Sequence, residues 1–190
     1  MSGLLLDEFL PEYHVRSAHE TLVNADIATT YRALCAASFR DSAIVRALLR
    51  LRGLGRQLPP RPVDASLLRD LKAGGFLELA VAPEREMVFG IAGKFWLPRA
   101  ERVTLTSANE FRDFCTPDHA KAAWNLSLEA ETPTTTRLRT QTRILCFGSA
   151  RWKFRLYWGL VGPFSGLTRI VLLQQVKQKA EQARAAAVRA

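Results

Sequence analysis

The chain has 190 residues, 48% of them hydrophobic and 24% charged, enough to bury a core without disulfides or metal and too apolar for a disordered chain. Its net charge is +9. From Ala150 onward eight basic residues (Arg151, Lys153, Arg155, Arg169, Lys177, Lys179, Arg184, Arg189) stand against Glu181 alone, a clustering that suits an anionic surface or a solvated helix face.

The N-terminal Leu4-Leu5-Leu6 is followed at once by Asp7 and Glu8. It has neither the basic start nor the apolar length of a secretory signal. Residues 13–24 alternate, with Val15, Ser17, His19, Thr21 and Val23 on one face, and predict a strand. Asp26 is placed to cap a helix reaching Ala37, with Ile27, Tyr31, Leu34 and Cys35 on one side. Asp41 or Ser42 opens a second helix, whose Ile44, Val45, Leu48, Leu49 and Leu51 turn inward. Gly53 and Gly55 end it before the extended Pro59-Pro60-Arg61-Pro62 link. Asp64 is the expected cap of a third, short helix closed by Gly74-Gly75.

The rest is strand-rich. Residues 76–82 and 86–96 flank the turn Pro83-Glu84-Arg85 as a hairpin, and a short strand follows at 102–105. Ser107 and Glu110 have the spacing of a capping box for a helical turn over 107–114. Two long strands, 119–131 and 136–147, carry the clearest alternation. Ala120, Ala122, Trp124, Leu126 and Leu128 pair in character with Leu138, Thr140, Thr142, Ile144 and Cys146. The opposite faces hold Lys121, Asn125, Ser127, Glu129, Arg137, Arg139, Gln141 and Arg143. That pattern predicts an antiparallel sheet covered on one side only, with Glu20, Glu86 and Asp113 on the solvent side.

Residues 150–187 predict a long helix broken or kinked at Gly162-Pro163. Its stripe Trp152, Leu156, Leu160, Phe164, Leu167 and Val171 is the expected cover for the dry sheet face. Only thirteen uncharged residues separate Arg155 from Arg169, short of the roughly 20 that span a bilayer. An interfacial helix, with Trp152, Tyr157 and Trp158 at headgroup level, stays open.

The three cysteines (Cys35, Cys115, Cys146) are odd in number and widely spaced, which reads as reduced thiols in a cytoplasmic protein. The reading is one domain over residues 1–190, with 1–12 as an N-terminal extension and 179–190 as a basic, Ala-rich helical tail. No metal or cofactor motif is present, and His14, His19 and His119 are not at ligand spacing, so no cofactor is expected.

The order of elements, the phrase Val15-Arg16-Ser17-Ala18-His19-Glu20-Thr21 before a helix, and the tail Phe154-Arg155-Leu156-Tyr157-Trp158 through Pro163-Phe164-Ser165-Gly166-Leu167 resemble the helix-grip superfamily. That group holds START lipid-transfer domains, Bet v 1 allergens and bacterial polyketide cyclase/dehydrase-like proteins, and the likeness is to the uncharacterised bacterial branch of the last. It runs from Tyr13 to about Gln178. It implies an α+β fold in which a curved antiparallel sheet of six or seven strands wraps a long, kinked C-terminal helix, with a cavity between them.

Binding or carriage of a hydrophobic small molecule (lipid, polyketide or isoprenoid-like) is therefore the first expectation, with His19, Phe89, Trp96, Trp124, Thr140, Thr142 and Trp158 as cavity-lining candidates. Two alternatives stand beside it: a cyclase- or dehydratase-like enzyme using His19 as the candidate base, and a peripheral protein docking its basic C-terminal helix on an anionic membrane. No aromatic-basic repeat points to nucleic acid, and the oligomeric state is left open.

Overall fold

The computed structural model describes residues 3–42, 47, 66–97 and 101–189. The expected second helix, the proline link and Asp64 lie outside these. Chain order gives α1 (Leu5–Phe9), β1 (Val15–Val23), α2 (Ile27–Cys35), a 3-10 turn at Phe39–Asp41, α3 (Leu67–Ala73), β2 (Leu77–Ala82), β3 (Glu86–Lys94), β4 (Glu101–Val103), α4 (Ala108–Asp113), β5 (Ala120–Thr132), β6 (Thr135–Cys146) and α5 (Ala150–Arg189).

The six strands form one antiparallel sheet in the order β1-β6-β5-β3-β2, with β4 paired to β3 alongside. The α+β helix-grip expectation is met, for α5 crosses the inner face of this sheet and packs on β1 and β6. Local signals explain most boundaries. The Asp26 carboxylate accepts the Thr29 amide at 2.9 Å and starts α2. Ser66, two residues past the expected cap, accepts the Arg69 amide and starts α3. At α4, Ser107 caps as expected, and Glu110 reaches back to the amide and hydroxyl of Thr106. Strand β3 ends at Lys94, two residues short of Trp96.

The interior between sheet and helix is filled. Phe89, Trp124, Leu126, Leu128 and Leu138 from the sheet meet Leu34 of α2, Leu67 and Leu71 of α3, and Leu172, Leu173, Val176 and Ala180 of α5. A second cluster overturns the one-sided sheet. On the outer face Leu6, Phe9 and Leu10 of the N-terminal segment bury against Leu79, Val88, Phe111 and Ala123. The segment read as an extension is thus packed structure. Glu86, expected in solvent, is 1% exposed. Its carboxylate accepts the Leu5 amide at 2.7 Å, the Leu6 amide at 3.2 Å and Asn125 Nδ2 at 2.7 Å. At the other end of α1, buried Arg143 donates to the Leu10 carbonyl and to Asp7. A carboxylate at the start and a guanidinium at the end match the helix dipole.

The C-terminal helix also differs from expectation. It is not broken at Gly162-Pro163 but runs over 40 residues through the proline. The stripe assigned to the sheet points away from it: Trp152 is 58% exposed, Leu156 70% and Leu160 75%, with Phe164 and Leu167 exposed as well. The packed side is Ala150, Phe154, Ser165, Gly166, Leu172, Leu173, Val176 and Ala180. Because residues 156–168 carry no charge, the sequence offers two apolar faces there, and periodicity alone does not say which turns inward. One 18-residue window of this helix is long and apolar enough to cross a membrane, although only thirteen uncharged residues separate Arg155 from Arg169.

Candidate functional site

Strand alternation places Ser17 and His19 of β1 on the inner sheet face, opposite Thr142 and Thr140 of β6 in register. Thr142 is in turn opposite Trp124 of β5. Helix α5 passes over this row with small residues beneath it. A Cβ built on Gly166 would sit 3.2 Å from His19 Nε2, so glycine is what lets the imidazole lie against the helix. Between β1 and α5 a groove of about 510 Å³ remains, lined by Arg16, Ser17, His19, Trp158, Gly162, Pro163, Gly166, Leu167 and Ile170 and open to solvent.

The seven sequence candidates separate on this frame. His19 and Trp158 line the groove. Phe89 and Trp124 belong to the filled core, with ring centroids 6.1 Å apart. Trp96 meets the edge of Phe154 at 6.1 Å, and Trp158 stacks on the same ring at 5.6 Å. Thr140 is satisfied within the protein, since its hydroxyl accepts Trp124 Nε1 and donates to the Asn125 carbonyl at 2.8 Å. Thr142 is different. It is 5% exposed and its Oγ1 meets no hydrogen-bond partner among the described residues. A buried hydroxyl normally finds one, so this atom next to Ser17 is the polar feature of the inner face that the protein leaves unused.

His19 Nε2 lies 3.3 Å from Ser17 Oγ. Burial, and then the charge of Arg169, hold the imidazole below its ordinary pKa. His14 is shifted the same way by burial and Arg151, and its Nδ1 accepts the Cys146 amide. A depressed histidine pKa means that the unfolded chain binds protons first as the pH falls. Stability is therefore flat in this respect above about pH 6.5 and declines below it, down through the folded pKa values. The urea midpoint should drop from neutral pH to mildly acidic pH, and His14→Gln with His19→Gln should flatten that slope. An unchanged slope in the double variant would remove both histidines from the explanation.

Ser17, Gly162, Gly166, Leu167 and Ile170 were not sequence candidates. Ser17 shares the His19 alternation and was legible from it. Gly166 is the one helix position where the absence of a side chain admits His19. Of the three cysteines, Cys146 is buried, its thiol pushed up to about 11 by burial, whereas Cys115 is exposed. No group of three metal-ligating side chains occurs among the described residues.

No family model matches the chain, and no curated protein does. Among solved structures it is similar to the di-domain aromatase/cyclase BexL from the BE-7585A biosynthetic pathway, at 13% identity and TM-score 0.36, over 88% of this chain and 47% of that one. It thus spans less than half of that protein. An uncharacterised protein from Rhizobium leguminosarum gives 15% identity and TM-score 0.34, over 89% and 99%. The Zhui aromatase/cyclase from Streptomyces sp. R1128 gives 10% and 0.29, over 88% and 94%. Values this low leave the functional reading to the site itself.

Proposed function

We propose that the chain binds a hydrophobic small molecule in the groove between β1 and α5. The observation that carries this reading is the groove's make-up. Its volume of about 510 Å³ falls within the roughly 300–1,000 Å³ of ligand sites. Its walls are Trp158, Pro163, Leu167 and Ile170, with Ser17, His19 and Arg16 as the polar groups. Apolar walls supply affinity, and a few polar groups fix orientation. A molecule with one carbonyl or hydroxyl fits that pattern, its polar end at the Ser17–His19 pair and its hydrocarbon along α5. The site is a groove and not the enclosed cavity that the resemblance implies, so the ligand keeps one side in contact with its surroundings.

No carboxylate lines the groove among the described residues. His19 thus lacks an acid partner there, and binding is the better-supported reading over cyclase-like catalysis. Native mass spectrometry of the purified protein should show an apolar adduct, or fluorescence titration should show saturable uptake of the neutral dye Nile red. Ile170→Arg, at a half-exposed position that tolerates charge, should weaken dye binding at least tenfold, about 1.4 kcal/mol. Gly166→Leu, which drives a side chain onto His19, should do the same. Wild-type protein that takes up neither adduct nor dye would end this proposal.

A further inference from the structure

The outward face of α5 from Trp152 to Phe164 is explained neither by the fold nor by the groove. Trp152, Leu156, Leu160, Phe164, Leu167 and Ile170 are all exposed. Their spacing of three and four residues places them on an arc of about 120° running about 27 Å along the helix. Soluble proteins rarely present a continuous apolar strip of that extent without a use for it. Only 22% of the apolar window of this helix is buried in the molecule, whereas a core helix would be mostly covered.

The charges around the strip identify its partner. Arg151 and Arg155 are exposed at the N-terminal end, and Lys153 lies 5.8 Å from the Trp152 ring centroid. No acidic residue occurs between Ala150 and Ala180. The basic C-terminal tail is a poorer candidate, because three of its four cations are engaged internally. Lys179 pairs with Asp41 and donates to the Ala36 carbonyl, Lys177 pairs with Glu181, and Arg184 donates to the Asn24 carbonyl. An apolar strip with an interfacial tryptophan and three cations at its N-terminal end has the make-up of a helix lying in the plane of an anionic bilayer. A second copy fits less well, since each chain carries a net charge of +9.

We propose that the N-terminal half of α5 docks the protein on an anionic lipid surface, with Leu156 and Leu160 entering the interface and Arg151 and Arg155 meeting headgroups. This goes beyond ligand binding and stands without it. Leu167 and Ile170 belong both to the strip and to the groove lining, so docking sets the rim of the groove against lipid.

Co-sedimentation of the full chain with phosphatidylcholine vesicles, with and without phosphatidylglycerol, tests the proposal. The expected result is binding to the anionic vesicles that weakens as salt rises. Leu156→Glu with Leu160→Glu should reduce it at least tenfold, and Arg151→Ala with Arg155→Ala should remove its salt dependence. Both double variants change solvent-facing side chains, and their folding is checked by circular dichroism. Leu22→Glu, at an exposed leucine on β1 away from the strip, should bind as wild type. Neither Leu156 nor Leu160 lines the groove, so dye uptake in the first variant stays intact if ligand binding alone is right. Failure to sediment with anionic vesicles, equal binding by the Leu156/Leu160 variant, or a homodimer in light scattering that this variant dissolves would each overturn the proposal.

Discussion

Replacing Glu86 with alanine is expected to destabilise the protein by about 3 kcal/mol, measured as a fall in the urea midpoint at constant slope. The carboxylate is buried and accepts three donors, the amides of Leu5 and Leu6 and the side-chain amide of Asn125. Each hydrogen bond to a charged group contributes about 1.5–3 kcal/mol, and donors left buried without an acceptor add their own cost. Leu5 is only partly buried, so water recovers some of that loss and the total stays near a single strong bond plus one orphan. Losing the carboxylate also frees the start of α1, whose Leu6 and Phe9 plug the outer sheet face. Proteolysis within residues 3–10 should accelerate with it. Glu86→Gln keeps an acceptor and a similar shape and should fall between. A change of less than about 1 kcal/mol in the alanine variant would mean that α1 is held by its leucines alone.

Trp124→Ala is expected to cost about 4 kcal/mol, within the range for removing a large aromatic from a packed core. The indole contacts Phe39, Phe76 and Phe89 at centroid distances of 6.1, 6.3 and 6.1 Å, and its N–H satisfies the Thr140 hydroxyl. Trp124→Phe keeps most of the packing and loses only that donor, so about 1–2 kcal/mol is expected. The pair of values distinguishes a filled interior from a ligand chamber. A chamber wall would tolerate the alanine at a cost nearer 1 kcal/mol, because its lining already lacks neighbours.

The long strands β5 and β6 were readable from the sequence because a two-residue period is imposed by the pleat itself. The inner face followed from it, including His19. What the period does not encode is whether a polar face meets water. Lys121, Asn125, Gln141 and Arg143 look like solvent residues by composition, yet all four are buried under α1 and α4. Lys121 is held by the carbonyls of Phe111 and Arg112, and Arg143 by Leu10 and Asp7. The covering helix α1 has five residues, too few to display a helical period. The groove was legible on its strand side and hidden on its helix side. The rotation of α5 about its axis depends on tertiary contacts at Phe154 and Leu172, and a helix that is apolar on two faces carries no local record of it.

Pro163 and its neighbours leave the helix unevenly held. Phe154 anchors one end and Ser165 onward the other, while no residue from 155 to 164 is buried. That stretch contains Gly159, Gly162 and Pro163, whose intrinsic helix preferences sum to about 5 kcal/mol less favourable than alanine. The groove wall is thus the segment of α5 that unwinds at least expense. Such a segment opens in a sub-global fluctuation, well below the free energy of unfolding the sheet. A guest wider than the resting groove can be admitted by the loss of one or two helical turns between two fixed ends, with strands, core and the remainder of the helix left standing.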